Sequence, residues 1–579
     1  MTIKLDGNSL NIDLVVEVAR KGAQVEFSAD TRERITASAK VLQKLIDMGI
    51  AIYGVTTGIG EFARIRISPE QGAELQRRII YSHAAGVGDP FPIENVRAAM
   101  LLRANTLARG NSGVRLGTAQ VLLDMLNRGV SPVVFEKGSL GVSGDLSPLS
   151  QLAEVCLGEG EAYYHGTPPY PPLQAGGEER ADLQAGGASP GSANSDTPPS
   201  PLPQAGGAIS HSPQAGGVIE RIPGGKALEK AGIKPIQLSY KEGLGLINGS
   251  QMSVGGAALN LVDARNLLKN AFIAAAMTID ALKGVQSAYD ARLHAARPFH
   301  GQNLVAKHLR ALMADSQIIS PPLQSNKGKD AALQSSGGAC GEKVQDGYSM
   351  RCTPQVLGPI VDAWRYALGQ VETEMNSSAD NPLFFTEDEA YLAGGNFHSE
   401  NIALAVDFLT MAMSEVANLS ERHTNRLMNP ALSGLPDFLV EGKGLNSGLM
   451  VAQYTAAALV SENKVLSHPA VVDSISVSAD QEDHVAMTPI AVRKCGEVLR
   501  NVGAVLAIEM MSAAQAFDFR QPLEPGRGTR AAYRKIREVV PHLEDDRVLY
   551  PDIAKITELV RSGVVVGAVE AAAGELGLE

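Results

Sequence analysis

The sequence predicts a mainly α-helical protein built around a bundle of long helices. Three observations carry this: apolar stripes at helical spacing, helix start and stop signals, and a scarcity of β-rich runs. Ile402, Val406, Leu409, Met413 and Val416 step by four and three, the spacing of one buried helix face. Val492, Cys495, Leu499, Val502, Leu506 and Met510 repeat that pattern. Long helices with such stripes assemble as bundles.

Shorter helices come first along the chain. "SPEQGAELQRRI" offers Ser68 as N-cap, Pro69 at the first helical position and Gln71 to close a capping box. "PIENVRAAMLLRANTLARG" predicts a helix stopped at Gly110, and "VRLGTAQVLLDMLNRG" one stopped at Gly129. From about residue 165 to 217 the pattern breaks. This stretch is dominated by proline, glycine and serine, and the word QAGG begins at 174, 184, 204 and 214. It holds too little apolar surface for a core and reads as a disordered insertion within a domain; a linker or docking arm is the other reading. Helical sequence resumes with "GGKALEKAGI". The expected domains are 1–264, interrupted by the insertion, and 265–579, comprising the long bundle and C-terminal helices.

The chain of 579 residues is 44% hydrophobic and 20% charged, ample for a continuous core. Its net charge of −12, without a Lys/Arg cluster, argues against a nucleic-acid partner. Cys156, Cys340, Cys352 and Cys495 form no CxxC and no Cys/His ligand pair. Neither a metal site nor a disulfide framework is expected, and this usage suits a reducing cytoplasm. No apolar signal core follows a basic start, and no uncharged apolar run reaches membrane-spanning length. A soluble cytoplasmic protein with no membrane partner is the expectation.

Chemistry concentrates in short polar stretches. "AIYGVTTGIGEFA" sets Tyr53 before Gly54, Gly58 and Gly60: a mobile lid presenting a phenol, or an aromatic packed on a turn. In "IIYSHAAGVGDPF", His83 is a helix C-cap or a site residue. Asn248 in "GLINGSQM" either binds a substrate group or satisfies the backbone. Gln345, Tyr348 and Arg351 advance by three, so a helix would put them on one face, where Arg351 offers a planar fork for a carboxylate; a surface helix is the other reading. "GGNFHSEN" presents Phe397 and His398. Glu462 lies on an apolar helix, where a carboxylate needs a partner. The loop "GSLGVSGDLSPL" places Ser143 between Val142 and Gly144.

Taken in order, YGVTTGIG, SHAAGVG, GSLGVSGDLSPL, LINGSQ, QDGYSMRCTPQ, GGNFH and SENK…SADQEDHV resemble the aromatic amino acid ammonia-lyase and aminomutase family, above all its histidine-acting branch. The resemblance runs from about residue 3 to the C-terminus, apart from the insertion. It implies an L-aspartase/fumarase-like helical architecture with an N-terminal domain carrying the catalytic loop. It also implies that Val142, Ser143 and Gly144 cyclise with loss of two waters into 4-methylideneimidazole-5-one (MIO), an electrophile the twenty side chains do not offer. The substrate amine then adds to the methylidene carbon supplied by Ser143.

By the same resemblance Tyr53 takes the β-hydrogen and Arg351 pairs with the substrate carboxylate. Asn248, Gln345 and Tyr348 position the MIO group and the amine, and Phe397 packs beside the ring. His83 and Glu462 match the histidine enzymes, with Glu462 facing the imidazole. The implied reaction is elimination of ammonia from L-histidine to give trans-urocanate, in a homotetramer with shared sites and a lid tyrosine supplied by a neighbouring subunit. The pattern departs at Val142, where alanine is usual, and at Thr56 and Ile59, where histidine enzymes carry asparagine and phenylalanine. The first residue's side chain stays outside the ring, so Val142 removes no reacting atom. Two alternatives follow: an aminomutase or a lyase on another aromatic amino acid, and a non-catalytic relative in which no MIO forms.

Overall fold

A computed structural model describes residues 2–166, 219–319 and 345–579. The QAGG repeats and Cys340 lie outside the described residues. Nine helices position the site: α1 (Gly72–His83), α2 (Ile93–Ala108), α3 (Leu146–Cys156), α4 (Gln251–Ala281), α5 (Tyr348–Arg351), α6 (Thr353–Met375), α7 (Glu400–Met428), α8 (Met450–Leu466) and α9 (Thr488–Asp518). With twenty α-helices and only short two- and three-stranded sheets among the described residues, the chain is mainly α.

The bundle is α4, α6, α7 and α9, with α2 and α8 packed on its flanks. Both predicted stripes are interior, every one of their residues being buried. The glycine stops fall where expected: α2 ends before Gly110 (φ +79°), and the helix Leu116–Asn127 ends before Gly129 (φ +73°). The start at Ser68 differs. A 3₁₀ turn, Pro69–Gln71, precedes α1, and only half of the capping box forms, Ser68 N–H donating to Gln71 Oε1 at 3.4 Å. A shorter 3₁₀ entry lets Gly72 sit against the ring of Tyr240, where a Cβ would come within 2.0 Å of a ring carbon.

The insertion joins two neighbours. Strands Glu161–Tyr164 and Glu220–Pro223 pair antiparallel, with Tyr164 opposite Glu220. The expected division at 264/265 does not appear as a boundary. It falls inside α4, which packs against both α2 and α9, because one uninterrupted helix serves as core for both halves. Among the described residues only α7 is long and apolar enough to cross a membrane, and two-thirds of that window is buried in the bundle, as in a core helix.

Candidate active site

The loop Gly138–Gly144 lies where the N-termini of four helices meet. It runs directly into α3 through Asp145. Gly144 pairs with Gly249, just ahead of α4, and Asp145 N–H donates to Gly249 O at 2.7 Å. Ser399, at the head of α7, donates through Oγ to Gly141 O at 3.1 Å. Met487, preceding α9, donates its N–H to Leu140 O at 2.8 Å. Helix N-termini carry partial positive charge, so the loop occupies a place suited to negative charge developing on a reacting group.

Two glycines make this approach possible. Gly144 has φ +75°, and a Cβ there would stand 2.1 Å from the carbonyl of Gly249; at Gly141 it would press on Thr488 and Ser399. Val142 points away from the bend into a small apolar cluster with Val485 and Met487. Valine fills that pocket, which explains how it replaces alanine without disturbing the turn. Asp145 is wholly buried and accepts from Ser253 N–H (2.7 Å) and Ser253 Oγ (2.9 Å). Burial pushes its carboxyl up to about 6.

Ser143 Oγ donates to Glu482 Oε1 at 2.8 Å. Glu482 belongs to the strap between α8 and α9 and also faces Tyr53. The Tyr53 hydroxyl accepts from Gly60 N–H at 2.9 Å, and Gly60 in turn lies against Ser478 of the strap. Burial raises the Tyr53 phenol above its ordinary pKa, the Gly60 hydrogen bond lowers it, and the negative charge of Glu482 raises it further. Within this chain Tyr53 is therefore a neutral phenol. Within one chain Tyr53 lies on the same side as Glu482, the carboxylate that Ser143 meets.

The cap reading of His83 is realised in the structure. Its Nδ1 donates to Ile79 O at 2.7 Å, capping α1, so that in the neutral ring Nε2 is the acceptor. The following turn meets the loop, Ala85 N–H donating to Ser147 Oγ at 3.3 Å. Asn248 is buried and donates through Nδ2 to Asn381 O at 3.0 Å, so its remaining offer to a ligand is Oδ1. Phe397, half-buried, stands two residues from Ser399 at the loop's edge.

Beneath Asn248 lies an ionic cradle that sequence reasoning missed. Arg103, Lys241 and Asp380 have fully buried side chains; Lys241 Nζ meets Asp380 Oδ1 at 2.8 Å, and Arg103 donates to Asn248 O at 2.8 Å. Breaking a buried pair leaves a charge uncompensated, so Asp380→Ala is expected to cost about 3–5 kcal/mol in denaturant unfolding. A loss below ~1 kcal/mol would mean the two cations are relieved by solvent.

Gln345, Tyr348 and Arg351 are not at this site within one chain. The helix begins only at Tyr348, so Gln345 precedes it, while the Arg351 guanidinium does stack over the Tyr348 ring at 4.6 Å. His423 fixes α5 by donating through Nε2 to Ser349 O at 2.7 Å, and His423 is buried in an ion pair with Glu509. Ser399 and His423 stand near opposite ends of α7. At ~1.5 Å per residue that separation is about 36 Å. Tyr348 itself is 73% exposed, open to a second molecule.

Glu462 is likewise displaced. Its partner is Asn501 Nδ2 at 3.0 Å, well along α9 from Thr488, which touches the Gly141 shell. The axial distance between those positions is about 20 Å. Within this chain the carboxylate beside Ser143 is Glu482. Glu482 lies in "SADQEDHV", the motif that follows "SENK" in the chain.

A helical bundle carrying a glycine-bent serine loop at converging helix N-termini, with polar groups around the serine, defines the class. The chain belongs to the aromatic amino acid lyase family, whose signature spans residues 10–182 and 200–538. It is a carbon–nitrogen lyase. Among its relatives, the histidine ammonia-lyase of Natranaerobius thermophilus is 43% identical over 99% of this chain and 100% of its own. The solved histidine ammonia-lyase of Trypanosoma cruzi superposes with a TM-score of 0.82 at 37% identity, covering 100% of this chain and 97% of that one. A tyrosine aminomutase from Streptomyces globisporus superposes with 0.85 at 33% identity, covering 100% of each.

Proposed function

We infer that this chain eliminates ammonia from L-histidine to give trans-urocanate, using MIO formed from Val142, Ser143 and Gly144. The observation that carries the reading is Ser143 Oγ held on Glu482 Oε1, with His83 on the turn that meets the head of α3 through Ala85 and Ser147. An imidazole needs partners for both ring nitrogens, and a carboxylate with an accepting Nε2 meets that need, whereas a benzene ring has no use for them. The histidine ammonia-lyase relatives support the same choice.

The residues fit the prosthetic group. Gly144 bends as a ring closure requires, and its N–H meets no acceptor among the described residues, which leaves that nitrogen available. Once formed, the group supplies an electrophile for the substrate nitrogen. This chain's side chains do the rest. Asn248, fixed by its amide on Asn381 O, precedes Gly249, which meets Gly144 at the bend. Tyr53 stands as the proton acceptor for the β-carbon, and an approaching ammonium or guanidinium would bring its phenol down towards ionisation. Glu482 orients the imidazole.

Arg351, with Tyr348 and Gln345, binds the substrate carboxylate from a second copy of the chain, and the active unit is a homotetramer with shared sites. The distance along α7 supports this, as does an exposed apolar stripe of Leu404, Phe408 and Met411 on that helix. The three described cysteines are free thiols, which suits a cytoplasmic location.

Incubation with L-histidine tests the reading: urocanate absorbance should appear, and intact-protein mass should be lower by two waters. A chain of full calculated mass would end it. Glu482→Gln is expected to lower kcat/KM by ~10²-fold or more while keeping the mass deficit. An effect smaller than that of Glu462→Gln would return the imidazole-facing role to Glu462.

An aminomutase remains the second reading, favoured by one feature of the lid. Thr56 Oγ1 accepts from Ile52 N–H (2.8 Å) and donates to Ile50 O (2.9 Å), tying the base of the Tyr53 loop to itself. A slower lid retains ammonia longer. β-Histidine in place of urocanate as the main product would select this reading.

A further inference from the structure

The strap that brings Glu482 to Ser143 contains three consecutive left-handed residues, Ser478, Ala479 and Asp480, with φ of 55°, 53° and 63°. Side chains with a Cβ disfavour that region, so the strap has to be held from outside. Some fastenings are hydrogen bonds: Asp407 accepts from Ala470 N–H and Val471 N–H at 2.6 and 2.8 Å, and Ser474 Oγ accepts from Val485 N–H at 3.1 Å. Another contact has the composition of a metal site.

At His484 the strap faces the head of α7. His398, Glu400 and His484 each offer a ligand atom, and these atoms all lie within 4.8 Å of one another. The two imidazole rings are 5.8 Å apart. His398 Nε2 donates to His484 O at 3.3 Å, which puts the lone pair on Nδ1. Metal-binding histidines commonly use their second nitrogen in this way, since a backbone carbonyl fixes tautomer and ring orientation together. Glu400 Oε2 is sealed from solvent and meets no hydrogen-bond donor among the described residues. A carboxylate oxygen in that state is costly unless a cation or donor reaches it.

We propose that His398, Glu400 and His484 form a divalent-cation site that fastens the Glu482 strap to the N-terminus of α7. Two imidazoles and one carboxylate are a zinc donor set, with a fourth position left for water. The ligands come from segments 86 residues apart, His398 and His484, which is why cysteine and spacing rules gave no hint of a metal. The site lies outside the chemistry assigned to Ser143, His83 and Glu482 and acts on it by holding the strap.

The test uses the full-length protein, stripped with chelator and titrated with Zn²⁺ alone by calorimetry. One zinc per chain is expected, and X-ray absorption of the loaded protein should show two imidazole nitrogens and one carboxylate oxygen. Glu400→Gln and His484→Ala should each weaken binding by ~10-fold or more, whereas His468→Ala, on the same strap but outside the cluster, should leave it unchanged. Absence of saturable binding, or equal affinity in all three variants, overturns the proposal. Should a variant fail to fold by circular dichroism, the wild-type absorption spectrum decides, and any other ligand set rejects the site.

Discussion

Replacing Ser143 with alanine is expected to lower turnover of L-histidine by ~10³-fold or more, because alanine has no hydroxyl to leave as water and so cannot form the electrophilic methylidene. The intact mass of that variant should lack the two-water deficit of the parent chain. The structure gives the prediction its specificity. Ser143 is bent between Val142, anchored in its apolar pocket, and Gly144, pressed on Gly249, so an alanine fits without disturbing the fold. A matched melting curve would therefore show lost chemistry and not lost structure. Val142→Ala should keep the mass deficit and most of the activity, at a stability cost of ~1 kcal/mol for the vacated pocket. Normal turnover in the Ser143 variant would refute the mechanism.

Removing the guanidinium at Arg351 should lower kcat/KM by ~10²-fold or more, the loss of a paired carboxylate fork. The larger result is expected on mixing. Arg351→Ala and Ser143→Ala should each be strongly impaired, yet co-expressed chains should regain activity at least ~10-fold above either alone, since some sites then combine an intact loop with an intact arginine. The reason is geometric. Arg351 is held by the His423–Ser349 contact near one end of α7, and Ser143 lies at the other. No rotation of side chains spans a helix. Failure of the mixture to exceed the single variants would mean that each chain builds its site alone, which would require α5 to leave its buried clamp.

How much was readable in advance follows from the range of the forces involved. Helix stripes, glycine stops and the insertion are local patterns, and they appear in the structure with small shifts, such as the 3₁₀ entry at Pro69–Gln71. The polar loops were also recognisable, since a serine among glycines or an arginine beside a tyrosine is unusual in a bundle. Their mutual distances were not. Sequence order suggested one site, whereas α7 separates Arg351 from Ser143 and α9 separates Glu462 from the Gly141 shell. Glu482 was passed over because a carboxylate in an irregular strap has no periodicity to mark it. The Arg103–Lys241–Asp380 cradle was invisible for a related reason: a buried charge reads as a surface charge until its partner, far along the chain, is known.

The sequence by itself determined the helical class, the family and the glycine-bent serine loop, because each rests on residues adjacent in the chain or one helical turn apart. Only the tertiary structure decided which carboxylate of the chain meets Ser143, and that Arg351 and Ser143 stand near opposite ends of α7. Those assignments depend on where long rigid helices begin and end in space, and a helix of this length converts a sequence offset into tens of ångströms that no local pattern records.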